Sequence, residues 1–322
     1  MTARGRDGDD AGGTGRPPAG PAIAGALTAY ACGDAFGLPW EGSAPGAAEP
    51  DRAIEIPARA RWPRGGTSDD TALTLLVAEH LIACGGAGDP ADLLRTLAGR
   101  AESIFGLGPS TVAAIRHFQR SGQLPAEGGR TNGAAMRALP AGWATPADAA
   151  ELRRRWVVTL SSATHPSPDA QAAACVVAAC ASWAIEGVDG RALLAVALAE
   201  ASALRKAGMN ASLEELIRAI DQGAWTPPTT GVSLDPLETV GAVLHCVSAT
   251  STLESAMLTA VGLGGDTDTV AALVGGILAR GRTSDQICAE LTWNRHVLLP
   301  PPDSVRTLAD GLAELRARPL PT

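Results

Sequence analysis

Two short acidic clusters carry the clearest chemical signal in this chain. Ser68-Asp69-Asp70-Thr71 opens one apolar stretch, and Asp266-Thr267-Asp268-Thr269 opens another about two hundred residues later. Gly65-Gly66 precedes the first and Gly264-Gly265 the second, so the backbone can turn sharply there and approach a neighbour closely. An aspartate at a helix start is an ordinary N-cap that suits the positive end of the dipole. One cap needs one acidic residue, whereas each cluster supplies two within three positions. If the two helices converge, four carboxylates meet, and they repel one another unless cations bind. Hard oxygen donors without Cys or clustered His select Mg²⁺, with Mn²⁺ or Ca²⁺ as substitutes. The paired spacing therefore favours a metal site over two independent caps.

Other candidates are weaker singly. Asp34, in Gly33-Asp34-Ala35-Phe36-Gly37, is a carboxylate on an apolar stripe, which is costly unless paired or metal-linked; its plainer role is a cap or turn residue. Glu41 follows Pro39-Trp40 in a loop, where a glutamate is usually just solvated. Gly106 and Gly108, in Phe105-Gly106-Leu107-Gly108, offer backbone N–H groups ahead of a helix as a pyrophosphate cradle. Asn132 and Gly133, with Met136 and Arg137, read as a turn into a short helix. His165, between Thr164 and Pro166, is one of five histidines and stands just before a helix, where a lone His is more often structural.

The elements that must position these residues are helices. From Pro21, Ile23, Leu27, Ala31 and Asp34 fall on one stripe. A Gly/Pro-rich stretch from Gly37 to about Gly66 separates this helix from one beginning near Asp70 and stopping at Gly85-Gly86. Asp89-Pro90 starts another. Val112 and Ile115 mark a helix running to Phe118, and residues 121–146 read as loop with a short helix around Gly133 to Leu139. Helices are further predicted from Ser167 to about Gly187, over 190–206 and 212–222, from Thr239 to Val247, and from a Ser251/Glu254 capping box to Gly262. The last has Val270, Leu273, Val274, Ile277 and Leu278 at helical spacing. About ten helices in one domain over residues 21–316 result, with no strong strand and no repeat of fixed period.

Composition agrees. Hydrophobic residues make up 46% and aromatics only 3%, which favours closely packed helices over β-branched and aromatic strands. A net charge of −8 argues against a nucleic-acid partner, which needs a basic face, while leaving nucleotide-sized ligands open. The six cysteines form no CxxC pair and read as small core residues in a reducing compartment. Residues 1–20 are rich in Gly, Asp, Arg and Pro and are expected to be a disordered tail, not a signal peptide. No apolar run is read as reaching the ~18 residues that span a membrane, so a cytoplasmic protein without a membrane partner is expected.

Taken together, GDAFGLPWEG at 33–42, GGTSDDTALTL at 65–75, FGLG at 105–108, NGAAMRALP at 132–140, SATHP at 162–166 and GGDTDTVAALVGGILARG at 264–281 resemble the ADP-ribosylglycohydrolase family, of the dinitrogenase-reductase-activating glycohydrolase type. The resemblance covers about residues 22 to 281, and the two acidic motifs are specific as a pair. It implies an all-α fold, an orthogonal multi-helix bundle around a dinuclear Mg²⁺ centre. Ser68, Asp69 and Asp70 match one set of metal ligands, and Asp266, Asp268 and Thr269 the other; Ser68 stands where many members have threonine, with the same hydroxyl. Glu41 matches an acidic residue on a mobile loop, Gly106 and Gly108 the diphosphate loop, Asn132, Gly133 and Met136 a segment bordering the ribose, and His165 a residue near the ADP-ribose pocket. The implied activity is cleavage of the bond between ADP-ribose and a protein side chain, with an ADP-ribosylated protein as substrate and catalytic roles among Glu41, Asp69 and Asp268. A non-catalytic ADP-ribose binder would keep the fold and lose ligands, and a two-metal nucleotide phosphohydrolase would share the aspartates. The Gly-Asp-Ala, Asn-Gly-Ala-Ala-Met-Arg and Thr-His segments favour the glycohydrolase.

Overall fold

Long runs of alanine, leucine and glycine bury their surface here as helices packed on helices. The computed structural model describes residues 18–48, 56–59 and 61–319, so most of the expected tail over 1–20 lies outside the described residues; Ala19 and Gly20 already belong to the first helix. Among the described residues the backbone forms helices and turns with two isolated bridges and no strand, so the fold is all-α as expected.

α1 (Ala19–Gly37) is buried over nearly its whole length and passes into a 3-10 turn at Leu38–Trp40. α2 (Asp69–Cys84) starts at the Ser68 cap and stops at Gly85 in the left-handed conformation. α3 (Pro90–Arg100) is capped by Asp89, whose side chain accepts the Ala91 N–H at 2.9 Å. α4 (Pro109–Ser121) follows the glycine loop, and the stretch expected to hold one short helix holds two, α5 (Gly133–Met136) and α6 (Leu139–Trp143). α7 (Ala150–Ser162) leads to α8 (Pro168–Ile185), which α9 (Ala192–Lys206) covers, and α10 (Ser212–Asp221) packs on α9 and on the next helix along the chain. Then come α11 (Pro236–Ala249), α12 (Leu253–Gly262), α13 (Thr267–Leu278), α14 (Ser284–Glu290) and α15 (Pro302–Arg316).

Two expectations need correcting. The capping box of α12 is Thr252 with Ser255, not Ser251 with Glu254; the helix begins one residue later, and the Glu254 carboxylate turns to the Thr292 hydroxyl at 2.8 Å. α8, at 18 residues, is also long and apolar enough by length and composition to cross a membrane, contrary to the sequence reading. Its residues are 78% buried inside the fold, which makes it a core helix ringed by α6, α7 and α9.

The pairing that positions the site is α1 on α13, with α15 along α1 and α12 along α13. Glycine permits the close crossing: a Cβ at Gly33 would lie 2.2 Å from the Ala271 carbonyl oxygen, and one at Gly37 2.4 Å from that of Thr267. The end of α1 and the start of α13 are thus in backbone contact, and the Thr267 hydroxyl donates to the Gly37 carbonyl at 2.8 Å.

Candidate active site

α1 fixes α2 through one side chain. Asp34, fully buried, accepts the Ser68 N–H at 2.9 Å, the Thr71 N–H at 3.0 Å and the Thr71 hydroxyl at 2.5 Å. It is a cap, as its plainer reading had it, but of the neighbouring helix. Burial pushes its carboxyl up while these donors pull it down. Ser68 caps α2 from within, accepting the Asp70 N–H at 3.1 Å and donating to Asp70 Oδ2 at 3.1 Å. Both Asp69 and Asp70 therefore stand in the first turn, buried.

The second motif is set by Gly265. With φ +75 and no room for a Cβ (Val232 O would be 2.0 Å away), it is clasped between two strand-like segments. Gly42 N–H donates to its carbonyl at 2.7 Å and its own N–H donates to Ser43 O at 2.9 Å; on the other side Asp266 N–H reaches Val232 O at 2.8 Å. This clasp brings the Glu41 loop to the start of α13. Ligand atoms of Glu41, Asp266 and Asp268 lie within 4.8 Å of one another. Asp69 and Asp70 stand beside that trio: the Thr269 hydroxyl donates to Asp70 Oδ2 at 3.3 Å and so joins the two motifs.

Charge in this cluster is poorly balanced. Burial, and then the neighbouring carboxylates, push Asp70 and Asp268 well up, and burial likewise raises Asp266. Asp69 is raised to about 7 by burial, against the Gly108 N–H that lowers it. Asp268 Oδ1 is buried without a hydrogen-bond partner. The counter-charge at the rim is Arg59, which pairs with Glu41 at 2.9 Å and donates to the Leu38 and Glu41 carbonyls. An orphaned carboxylate oxygen among hard oxygen donors that repel one another fits a divalent cation. Ser68, Asp69 and Asp70 from α2, with Glu41, Asp266, Asp268 and Thr269 from the other side, are the residues that would hold it.

The remaining candidates form the walls. Gly108 N–H donates to Asp69 Oδ2 at 3.2 Å, and a Cβ at Gly106 would stand 3.3 Å from Asp69 Oδ1, so the glycine loop abuts the cluster directly. Asn132 donates from its side chain to Asp266 and, at 2.9 Å, to the Thr239 hydroxyl. Met136 offers its carbonyl to the Tyr30 hydroxyl at 2.6 Å. His165 lies behind this wall: Gly133 has no room for a Cβ, which would be 2.8 Å from His165 Nε2. Its ring bonds Thr164 Oγ1 at 2.7 Å and Thr131 Oγ1 at 3.1 Å, and Thr131 donates to Ser110 in the first turn of α4. Burial, then Arg137, lower its pKa to about 3, so it is neutral at pH 7.

Sequence reasoning passed over Tyr30 and Arg59. Tyr30 is the one tyrosine of the chain and stands four residues before Asp34 on a stripe of alanines, a signal that was present; its hydroxyl also faces Asp70 Oδ1 at 3.4 Å. Arg59 lies 18 residues from Glu41 in an irregular loop, and no local pattern marks it.

Comparison with known proteins agrees with this geometry. The family model described as ADP-ribosylglycohydrolase matches residues 19–319. ADP-ribosyl-[dinitrogen reductase] glycohydrolase of Rhodospirillum rubrum is 31% identical over 218 residues, 66% of this chain and 67% of the relative. Uncharacterized protein YegU of Escherichia coli (strain K12) is 31% identical over 288 residues, 78% of this chain and 84% of its own. A solved structure titled ADP-ribosylglycohydrolase-related protein complex superposes with a TM-score of 0.74 at 25% identity, covering 92% of this chain and 98% of that one. With a family match across almost the whole described chain, and relatives and a fold that agree, this protein belongs to the ADP-ribosylglycohydrolase family.

Proposed function

We propose that the protein hydrolyses the glycosidic bond between ADP-ribose and a modified protein side chain, using Mg²⁺ held by the two acidic motifs. The observation that carries this reading is the buried trio Glu41, Asp266 and Asp268 with its orphaned oxygen, set beside Asp69 and Asp70 and walled by a glycine loop. Two cations bound there would supply positive charge that grips ribose hydroxyls and acidifies a water.

The chain's own groups do the rest. Positive charge builds on the sugar as its bond breaks, and the surrounding carboxylates stabilise it. Glu41 is the carboxylate with access to solvent as well as to the cluster, its side chain being 39% exposed, so it is placed to take a proton from water. With the Gly108 N–H held by Asp69, the N–H groups left to meet a diphosphate would be those of Gly106 and Leu107 and of the first turn of α4 after Pro109. Asn132 keeps Asp266 oriented by donating to it.

Incubation with an ADP-ribosylated protein, with products identified by mass spectrometry, tests the reading. Intact ADP-ribose supports it. AMP would indicate a phosphohydrolase, and tight binding without turnover a non-catalytic relative.

A further inference from the structure

Behind the wall of the cleft, a buried cation starts a chain of hydrogen bonds that runs in one direction. Arg137 is 3% exposed and forms no ion pair among the described residues, and its Nη1 is buried without a hydrogen-bond partner. Burial lowers its pKa only to about 10, so the guanidinium stays charged at pH 7 and can only donate. Its Nη2 donates to the Thr164 hydroxyl. Thr164 is itself buried, and the other group on its oxygen is His165 Nδ1 at 2.7 Å. An unused hydrogen there would be a stranded buried donor, so Thr164 donates to Nδ1. The neutral ring then carries its proton on Nε2 and donates to Thr131 Oγ1 at 3.1 Å.

The far end of the chain agrees independently. Thr131 spends its one hydrogen on the Ser110 hydroxyl at 2.9 Å, so it has none to give the ring and must accept from it. Ser110, half-buried in the first turn of α4, receives that bond, and its own hydrogen meets no acceptor among the described residues. This pair stands where two walls of the cleft join. Ser110 is two residues after Gly108, which donates to Asp69, and Thr131 adjoins Asn132, which donates to Asp266.

We propose that Arg137, Thr164 and His165 are positioning residues that, through Thr131, make Ser110 a fixed donor to a phosphate oxygen of the bound ligand. The inference rests on the glycohydrolase reading. A serine hydroxyl left to itself accepts as readily as it donates, and here the groups behind it decide. A phosphate oxygen accepts and has no hydrogen to give, so it matches a hydroxyl whose oxygen is already engaged. The uncompensated guanidinium behind the wall adds positive charge that favours an anion in front of it.

The ring is read directly by long-range proton–nitrogen NMR of the full chain with its five histidines isotope-labelled, His165 being the signal that His165→Gln removes. Its proton is expected on Nε2. Calorimetric titration with ADP-ribose in the presence of Mg²⁺ then follows the chain to the ligand. Ser110→Ala should bind about three- to tenfold more weakly, and Thr164→Val by a similar factor. The double variant should be no weaker than either alone, and Thr164→Ser, which keeps the hydroxyl, should match wild type. Ser110→Ala, at a half-buried position, and the wild-type spectrum decide the matter even where a variant of the wall fails to fold. A ring proton on Nδ1, wild-type affinity in Ser110→Ala, or losses that add in the double variant overturns the relay and leaves the glycohydrolase reading in place. Wild-type protein that binds no ADP-ribose overturns that reading and the role of Ser110 with it.

Discussion

Glu41 is held from two sides: Arg59 grips its carboxylate at 2.9 Å, and the pairing of Gly42 and Ser43 with Gly265 fixes its loop. Exposed ion pairs contribute little to stability, so Glu41→Gln should leave the unfolding free energy within ~0.5 kcal/mol of wild type. Turnover should fall by roughly 10²–10⁴-fold if the residue moves a proton. Single-turnover kinetics beside calorimetric titration with ADP-ribose checks both halves, and a variant as fast as wild type returns Glu41 to the ordinary solvated glutamates. Asp34 should behave in the opposite way. Its two oxygens serve three donors at the start of α2, and Asn would turn an N–H₂ group toward at least one of them. Asp34→Asn should cost about 1–3 kcal/mol in denaturant unfolding, the penalty of an unsatisfied buried group. Metal affinity should weaken as Asp69 and Asp70 lose their alignment; an unchanged unfolding midpoint would remove Asp34 from this role. At this scale the acidic pairs were legible because their chemistry lies in adjacent positions. The partners of those residues were not, because Tyr30, Arg59 and Thr239 reach the cluster through the fold and not along the chain.

Helices α1, α2 and α13 act as rulers for the site, and the glycine pair before α13 sets their spacing. Gly42 and Gly265 provide a controlled comparison, since both are left-handed, at φ +79 and +75. A Cβ at Gly42 meets nothing within 4 Å, whereas at Gly265 it meets the Val232 backbone at 2.0 Å. Gly42→Ala should cost only the conformational penalty, about 1–2 kcal/mol. Gly265→Ala adds overpacking against an immovable backbone, for a total of about 3–5 kcal/mol, and should separate Glu41 from Asp266. Chemical denaturation of the two variants measures the difference; equal losses would mean that close approach at Gly265 contributes nothing. The periodicity of α13 and the caps of α2 and α3 were readable from sequence because the signals are local. α15 repeats Val305, Leu308, Ala309, Leu312 and Leu315 at helical spacing, but it lies beyond the last acidic motif and carries no chemical signal of its own. α7 gave a weaker signal, its inward face being only Arg153, Val157, Leu160 and Ser161.

For the molecule as a whole, the buried cluster ties stability to pH and, on the proposed reading, to metal. Asp69 titrates near 7 in the folded protein without metal, against about 3.9 in an unfolded chain, and the other buried aspartates are raised in the same direction. The metal-free native state therefore binds more protons than the unfolded state between about pH 4 and 7. That contribution is complete below the unfolded value and is lost as pH rises through the folded one. Chelated protein should become less stable from pH 5 toward pH 8. On the proposed reading, Mg²⁺ at a hundredfold excess over its Kd would add ~2.7 kcal/mol, through ligands that bind it once deprotonated. Scanning calorimetry with EDTA or Mg²⁺ should show a gap in Tm that is wider at pH 8 than at pH 5. Equal gaps, or full activity in verified metal-free protein, would falsify the metal assignment. The overall class was visible in composition, since abundant alanine and leucine with few aromatics pack as helices. The convergence of the two acidic motifs is not local in sequence: it depends on α1 crossing α13 at Gly33 and Gly37 and on Asp34 holding the start of α2.

The crossing of α1 on α13 also has a consequence in time. Asp69 leaves the ribosome long before Asp268, and at about 5–20 residues per second the interval is on the order of 10–40 s. Throughout that interval the nascent chain carries half a cluster, with Gly33 and Gly37 waiting for the helix that covers them. A product truncated anywhere before α13 lacks Asp266 and Asp268, so on the proposed reading it would neither gather the metal nor turn over substrate.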